Sequence, residues 1–131
     1  MKKTLTLLIC LICYQILCHA QVADEHYYFK NLSVQNGLSQ NTVNTILQDK
    51  QGFMWFGTKD GLNRYDGLSF RKFKHDDRSQ RSIGNNFITA LYEDEKGSIW
   101  VGTDVGLYIY YPEKDSFEHF TKQSVENTRI E

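Results

Sequence analysis

The chain has 131 residues, with 15 Lys or Arg, 16 Asp or Glu and a formal net charge of -1. Charges this balanced and interspersed exclude the basic footprint of a nucleic-acid binder and the basic face of a protein held on an acidic membrane surface. A 14 % aromatic content with nine glycines and one proline points to short strands closed by glycine turns.

Residues 1–20 read as a cleaved secretory signal: Lys2-Lys3 form a charged start, Thr4 to Leu17 an apolar run, and Cys18-His19-Ala20 a cleavage site before Gln21. The run holds about 14 residues and includes Gln15, short of the ~20 that an uncleaved anchor needs. A lipidated Cys18 is disfavoured, because Gln15-Ile16-Leu17 lacks the small residues expected before it. Cys10, Cys13 and Cys18 are the three cysteines, so cleavage leaves no disulfide, thiol nucleophile or thiolate metal site. Loss of Lys2 and Lys3 brings the mature net charge to about -3, with 13 basic against 16 acidic residues.

Residues 21–36 contain Tyr27-Tyr28-Phe29-Lys30-Asn31-Leu32, which reads as an overhanging strand without partners. Gly37-Leu38-Ser39-Gln40-Asn41 links it to the main feature of the chain. The stretch Asp49-Lys50-Gln51-Gly52-Phe53-Met54-Trp55-Phe56-Gly57-Thr58-Lys59-Asp60-Gly61-Leu62 returns 45 residues later as Asp94-Glu95-Lys96-Gly97-Ser98-Ile99-Trp100-Val101-Gly102-Thr103-Asp104-Val105-Gly106-Leu107. In the first copy a strand with Val43, Ile46 and Leu47 leads into the turn Asp49 to Gly52. Phe53 to Gly57 is a second strand, too short for a helix and buried on both faces. Thr58 to Gly61 turns into Leu62 to Asp66, and Asp66-Gly67 turns into Ser69 to Lys74. The second copy predicts strands at Phe87–Glu93, Ser98–Gly102, Leu107–Tyr111 and Ser116–Thr121. The offset between copies is 45 as far as Tyr65/Tyr110 and 47 at Phe70/Phe117, because Pro112-Glu113-Lys114-Asp115 stands where the first copy has Asp66-Gly67. Surface turns tolerate such a length change and buried strands do not.

A period of about 45 residues with four strands per unit defines β-propeller blades. The fold class is therefore all-β, a partial propeller of two four-stranded antiparallel blades with an N-terminal overhanging strand. Blade one spans 37–80, blade two 81–121, and 122–131 leads toward a missing third blade. Trp55 and Trp100 are each expected to fill the space against a neighbouring sheet. Closed propellers have roughly four to eight blades, so two blades are expected to be a fragment or part of an oligomer.

The residues offer little chemistry. His26, His75 and His119 follow the repeat spacing and lack further ligands at metal-site spacing, so no metal is expected. Asp49, Asp60, Asp94 and Asp104 sit where carboxylates cap turns. No nucleophile elbow, phosphate-cradling loop or kinase signature is present, which points to a chain without catalytic residues or a cofactor. Trp55, Trp100, Tyr65, Tyr108, Tyr110 and Tyr111 are candidates either for blade core or for a sugar-stacking platform.

The stretch Gly52 to Tyr65, its second copy and the preceding Gly37-Leu38-Ser39-Gln40-Asn41 resemble the two-component regulator propeller repeat, whose pattern is Asp-x-x-Gly-x-hydrophobic-Trp-hydrophobic-Gly-Thr-x-x-Gly-Leu. The motif residues here are Asp49, Gly52, Trp55, Gly57, Thr58, Gly61 and Leu62, then Asp94, Gly97, Trp100, Gly102, Thr103, Gly106 and Leu107. The resemblance implies the periplasmic sensor of a hybrid histidine kinase that detects oligosaccharides, with kinase, receiver and DNA-binding domains elsewhere in the parent chain. The repeat motif is structural, and it carries no family ligand residues over to this sequence. The expectation is thus an exported signal-input segment from a truncated or partly read gene, with the remaining blades as partners and an oligosaccharide as ligand. A secreted lectin-like module whose copies close a ring is the alternative, and a propeller enzyme fragment a distant third.

Overall fold

The computed structural model describes residues 28–121. The expected signal at 1–20, part of the expected overhang, His26 and the segment 122–131 lie outside the described residues. Two compact units divide after Lys30, and the architecture that follows belongs to the unit that begins at Asn31.

Among the described residues eight strands form two separate sheets: β1 (Val43–Gln48), β2 (Met54–Thr58), β3 (Gly61–Tyr65) and β4 (Phe70–Phe73), then β5 (Ile88–Glu93), β6 (Ile99–Thr103), β7 (Gly106–Tyr111) and β8 (Ser116–Phe120). Each sheet is an antiparallel meander in sequence order. The two registers repeat at the same places: Leu47 opposes Trp55 and Gly57 opposes Leu62 in the first sheet, as Tyr92 opposes Trp100 and Gly102 opposes Leu107 in the second. A register irregularity falls near the start of both β1 and β5. Alternation along each strand sends Leu47, Trp55, Leu62 and Phe73 to one face of the first sheet.

That face packs on the second sheet. Trp55, Leu62 and Phe73 share one buried cluster with Ile88, Ile99, Val101, Tyr110 and Phe117, and Leu47 and Leu91 pack against its edge. The Trp55 ring lies 5.7 Å from Phe73, nearly parallel, and 5.5 Å from Tyr110. Only 1 % of Trp55 remains exposed. Burying roughly 200 Å² of indole stabilises the pair of sheets by about 5 kcal/mol at ~25 cal/mol per Å², an upper figure for an extended unfolded chain. Trp100 differs from this expectation. It is half-buried and meets Phe120 of its own sheet at 5.0 Å, because its face of the second sheet has no neighbour among the described residues.

The opposite face of the first sheet forms a smaller cluster of Leu38, Phe56 and Tyr65, joined by Leu32, Val43, Met54 and Phe70. Part of the expected overhang over 21–36 falls on described residues here. Residues 28–33 carry no assigned strand, and Val34–Asn36 is a turn of 3-10 helix with Ser33 as N-cap and Gly37 at φ +107 as C-cap. A lone extended segment has no ladder to join. The Ser33 backbone N–H donates to Asn36 Oδ1 at 3.0 Å and Ser33 Oγ accepts from the Gln35 N–H at 3.3 Å, and these bonds hold the helical turn instead.

Candidate functional site

The recurring motif is a hydrogen-bonded unit. At the β1–β2 turn Asp49 Oδ1 accepts from the backbone N–H of Gln51 (3.0 Å) and Phe53 (2.9 Å), while Oδ2 accepts from Trp55 Nε1 at 2.7 Å. At the β5–β6 turn Asp94 accepts from Lys96 N (2.9 Å), Ser98 N (2.9 Å) and Trp100 Nε1 (3.0 Å). Gly52 at φ +90 and Gly97 at φ +83 close these turns in the left-handed region, as three-residue hairpin loops require. One carboxylate thereby sets the turn and fixes the indole six residues on. Burial pushes the Asp94 carboxyl upward, but hydrogen bonds from Trp100, Ser98 and Lys96 outweigh it and hold the group below its usual value.

The rest of the motif places the neighbouring strands. Thr58 Oγ1 donates to Gly61 O at 2.8 Å and accepts from Asp60 N at 3.1 Å, and Thr103 Oγ1 donates likewise to Gly106 O at 2.9 Å. At Gly57 the two sheets approach closely. A Cβ there would lie 2.6 Å from both Ile88 Cγ2 and Thr45 Cγ2.

Polar side chains then bracket the packed faces. Lys50 donates from its backbone N to Glu93 Oε2 at 2.9 Å and from Nζ to Asp94 O at 2.7 Å, and Asn44 Nδ2 donates to Ile88 O at 2.8 Å. Arg71 grips both oxygens of Asp115 at 2.8 and 2.6 Å, and Tyr110 Oη donates to Asp115 Oδ1 at 2.8 Å. The Arg71 guanidinium and the Tyr110 hydroxyl hold the Asp115 carboxyl below its usual range. Burial, followed by the Asp115 carboxylate, pushes the Tyr110 phenol up to about 12. Asp115 itself stands at φ +49, so the two extra residues of the second copy's third turn bring a carboxylate to the first sheet's Arg71.

The aromatic candidates do not form one platform. Tyr65, Tyr108, Tyr110 and Trp55 are buried, while Trp100 and Tyr111 are half-exposed. Tyr65 Oη donates to Gly67 O at 2.5 Å, and Tyr108 stacks on the exposed His119 at 4.8 Å. His75 is tied to Ile83 O and to Asp77. Asp60 pairs with Lys74 at 2.6 Å, and Asp104 N donates to Phe87 O at 3.3 Å. Among the described residues no group of three His, Cys, Asp or Glu side chains is arranged to hold a metal.

Two polar features escaped the reading of the sequence. Asn63, fully buried, donates to Ser39 Oγ at 2.8 Å and accepts from Ser39 N at 2.9 Å, fastening the 37–42 link to β3. In the second copy Gly84 and Tyr108 take these two places, and a Cβ at Gly84 would lie 2.0 Å from the Tyr108 hydroxyl. The paired exchange of Ser39 for Gly84 and Asn63 for Tyr108 at the common offset is the signal that could have shown the contact. The Arg71–Asp115 bridge joins residues in different copies, and no spacing within one copy points to it.

Successive four-stranded antiparallel meanders, packed face to face through a buried tryptophan and linked from outermost to innermost strand, are consecutive blades of a β-propeller. The model of the two-component regulator propeller family matches residues 37–60 and 82–105. The chain is 38 % identical to the extracellular domain of a putative hybrid two-component system from B. thetaiotaomicron, with a TM-score of 0.65 over 73 % of this chain and 14 % of that one. The extracellular domain of a putative one-component system from the same organism shares the fold at 23 % identity and a TM-score of 0.59, over 72 % of this chain and 14 % of that one. "Histidine kinase P4" of Formosa agariphila is 40 % identical over 60 residues, which are 46 % of this chain and 4 % of the relative. The chain thus spans a small part of each of these proteins. Among the described residues no helix is long and apolar enough to cross a membrane.

Proposed function

We propose that the chain is a segment of an exported propeller that forms the signal-input region of a two-component system, with residues 1–20 as its cleaved leader and the periplasm as its compartment. The observation that carries this reading is the tandem repeat match, supported by similarity across 73 % of the chain to an extracellular domain of a putative hybrid two-component system. Blade one spans 37–80 and blade two 81–121, and 122–131 leads into a third. The aspartates Asp49 and Asp94 of the motif are spent on turns and indoles. The segment therefore contributes shape and surface, and catalysis belongs to a kinase in the parent chain.

The ligand class is oligosaccharide released by polysaccharide breakdown, bound by a surface that further blades complete. Reading the genomic frame beyond the Glu131 codon tests the proposal. Further Trp-hydrophobic-Gly-Thr units followed by a kinase are expected, and a stop codon with no such coding sequence would overturn it. Calorimetric titration of the sensor encoded by that frame, with oligosaccharides from enzymatic polysaccharide digests, then tests the ligand class. Absence of binding across the panel removes it.

A further inference from the structure

The packed interface between the two sheets can be compared, position by position, with the open face that carries Trp100. The apolar positions are kept. Leu47, Trp55, Leu62 and Phe73 of the first sheet correspond to Tyr92, Trp100, Leu107 and Phe120 of the second. Leu62 is fully buried and Leu47 packs on the core, whereas Tyr92 is 64 % exposed and Leu107 and Phe120 are half-buried. The charges around them are reversed. Lys50 and Arg71, which reach across to the second sheet, correspond to Glu95 and Glu118, both exposed. An acidic side chain in the place of Lys50 would meet a carbonyl oxygen, and one in the place of Arg71 would meet a carboxylate. Both encounters are unfavourable. Lys114 approaches Glu118 at 3.3 Å, but both side chains are more than half exposed, and such pairs contribute little.

From this juxtaposition we infer that the Trp100 face docks a further sheet of blade type whose facing edge is basic at two positions: where the second sheet carries Asp115, which holds the Arg71 guanidinium, and where it carries Glu93, whose carboxylate reaches residue 50 at its backbone N–H. The apolar centre makes the contact favourable, and the glutamates select which blade makes it. An unmodified second copy of the chain is a poor occupant. Its residues there are Gln48 and, counted back from the strand after the shorter turn, Leu68, which precedes Ser69 as Asp115 precedes Ser116; neither offers a cation, although Ile46 on the same face as Gln48 stands 58 % exposed where Leu91 packs on the core of the internal interface. The inference is independent of whether the chain senses a ligand.

The test uses a recharged copy of the full chain as the probe, carrying Gln48→Lys and Leu68→Arg, with Tyr92→Arg to block its own Trp100 face. All three positions are exposed. Its affinity for the unmodified chain is measured by sedimentation and calorimetry, against a reference copy with Tyr92→Arg alone. Exposed pairs are worth up to about fivefold in affinity each, so the probe should bind about tenfold more tightly than the reference. The gain should vanish in ~0.5 M salt and when the unmodified partner is replaced by a Glu95→Lys, Glu118→Arg chain. Should that chain lack a cooperative unfolding transition, Glu118→Gln alone should remove about half of the gain in free energy. A probe that binds no better than the reference, or fails to bind, overturns the inference. So does a gain that survives loss of the glutamates.

Discussion

Replacing Gly57 and Gly102 by alanine, one at a time, separates the cost of a methyl group inside a blade interface from its cost on an open blade face. The two glycines hold the same place in the repeat and pair with Leu62 and Leu107 in the same register. At Gly57 the new Cβ would lie 2.6 Å from Ile88 Cγ2 across the interface and 2.6 Å from Thr45 Cγ2 beside it, well inside van der Waals contact. Both neighbours belong to β-branched side chains with few rotamers to retreat into. Overpacking of this kind costs about 1–3 kcal/mol, offset by roughly 0.5 kcal/mol from the reduced freedom of the unfolded chain. At Gly102 the nearest atoms are Thr89 Oγ1 at 3.1 Å and Ala90 Cβ at 3.3 Å. A shift of a few tenths of an ångström relieves both, so the two contributions nearly cancel and Gly102→Ala should change stability by less than about 0.5 kcal/mol. Urea unfolding of the full chain, followed by tryptophan fluorescence, measures the difference. Equal costs at the two sites would refute the assignment of one face as packed and the other as open.

Asp49→Ala leaves the buried indole N–H of Trp55 and two turn amides without their acceptor and should cost about 2–3 kcal/mol. Asp94→Ala should cost less, because water reaches the half-buried Trp100, and the two are compared by urea unfolding. Asp115, held below its ordinary value near 3.8 chiefly by Arg71, contributes stability that is present above that value and lost as pH falls through the lowered one. Asp115→Asn should therefore flatten the acid limb of a thermal-melt pH profile, and an unchanged limb would count against the bridge. The His75 ring faces two acceptors, the Asp77 carboxylate at 2.8 Å and the Ile83 carbonyl at 3.0 Å, which only the doubly protonated imidazole can satisfy at once. Its value is raised above 6.5, first by Asp77 and then by Ile83. The contribution is complete below 6.5 and lost as pH rises through the raised value. A proton NMR titration of the His75 ring should show that rise, and Asp77→Asn should reduce it.

The strand plan was legible in the sequence because each strand is bounded by a residue with a local mechanism. Asp49 and Asp94 accept from the turn that follows them, and Gly52 and Gly97 take the backbone conformation that the turn needs. Those demands act within six residues, so a periodic pattern records them faithfully. The absence of an assigned strand at residues 28–33 has a related reason. Tyr28, Phe29 and their neighbours look like a strand in composition, yet strand structure is a property of a pair, and the bonds of Ser33 to Asn36 and Gln35 offered the nearby backbone a local alternative. The Arg71–Asp115 bridge and the Ser39–Asn63 lock were beyond reach because they join residues whose proximity follows only from how the sheets stack and where the link runs. A binding surface was not legible either, because the motif that repeats is the one that builds blades.

The two copies also show how a propeller can fix the order of its blades. Both sheets present the same apolar face, with Trp55, Leu62 and Phe73 in the first and Trp100, Leu107 and Phe120 in the second; an apolar face alone would accept any blade. Order has to come from residues at the margin, where a change of charge leaves the packing intact. Lys50 and Arg71 on the first sheet, against Glu95 and Glu118 on the second, are changes of that kind. Arg64 shows that the exchange extends further inward. Its guanidinium lies 4.5 Å from the Phe53 ring and 5.8 Å from the Trp55 ring, whereas its counterpart is the buried Ile109. A blade that fits against Trp55 would therefore meet a drier centre and an acidic margin at Trp100. The same fold is specified twice, and each copy carries its own instruction about its neighbour.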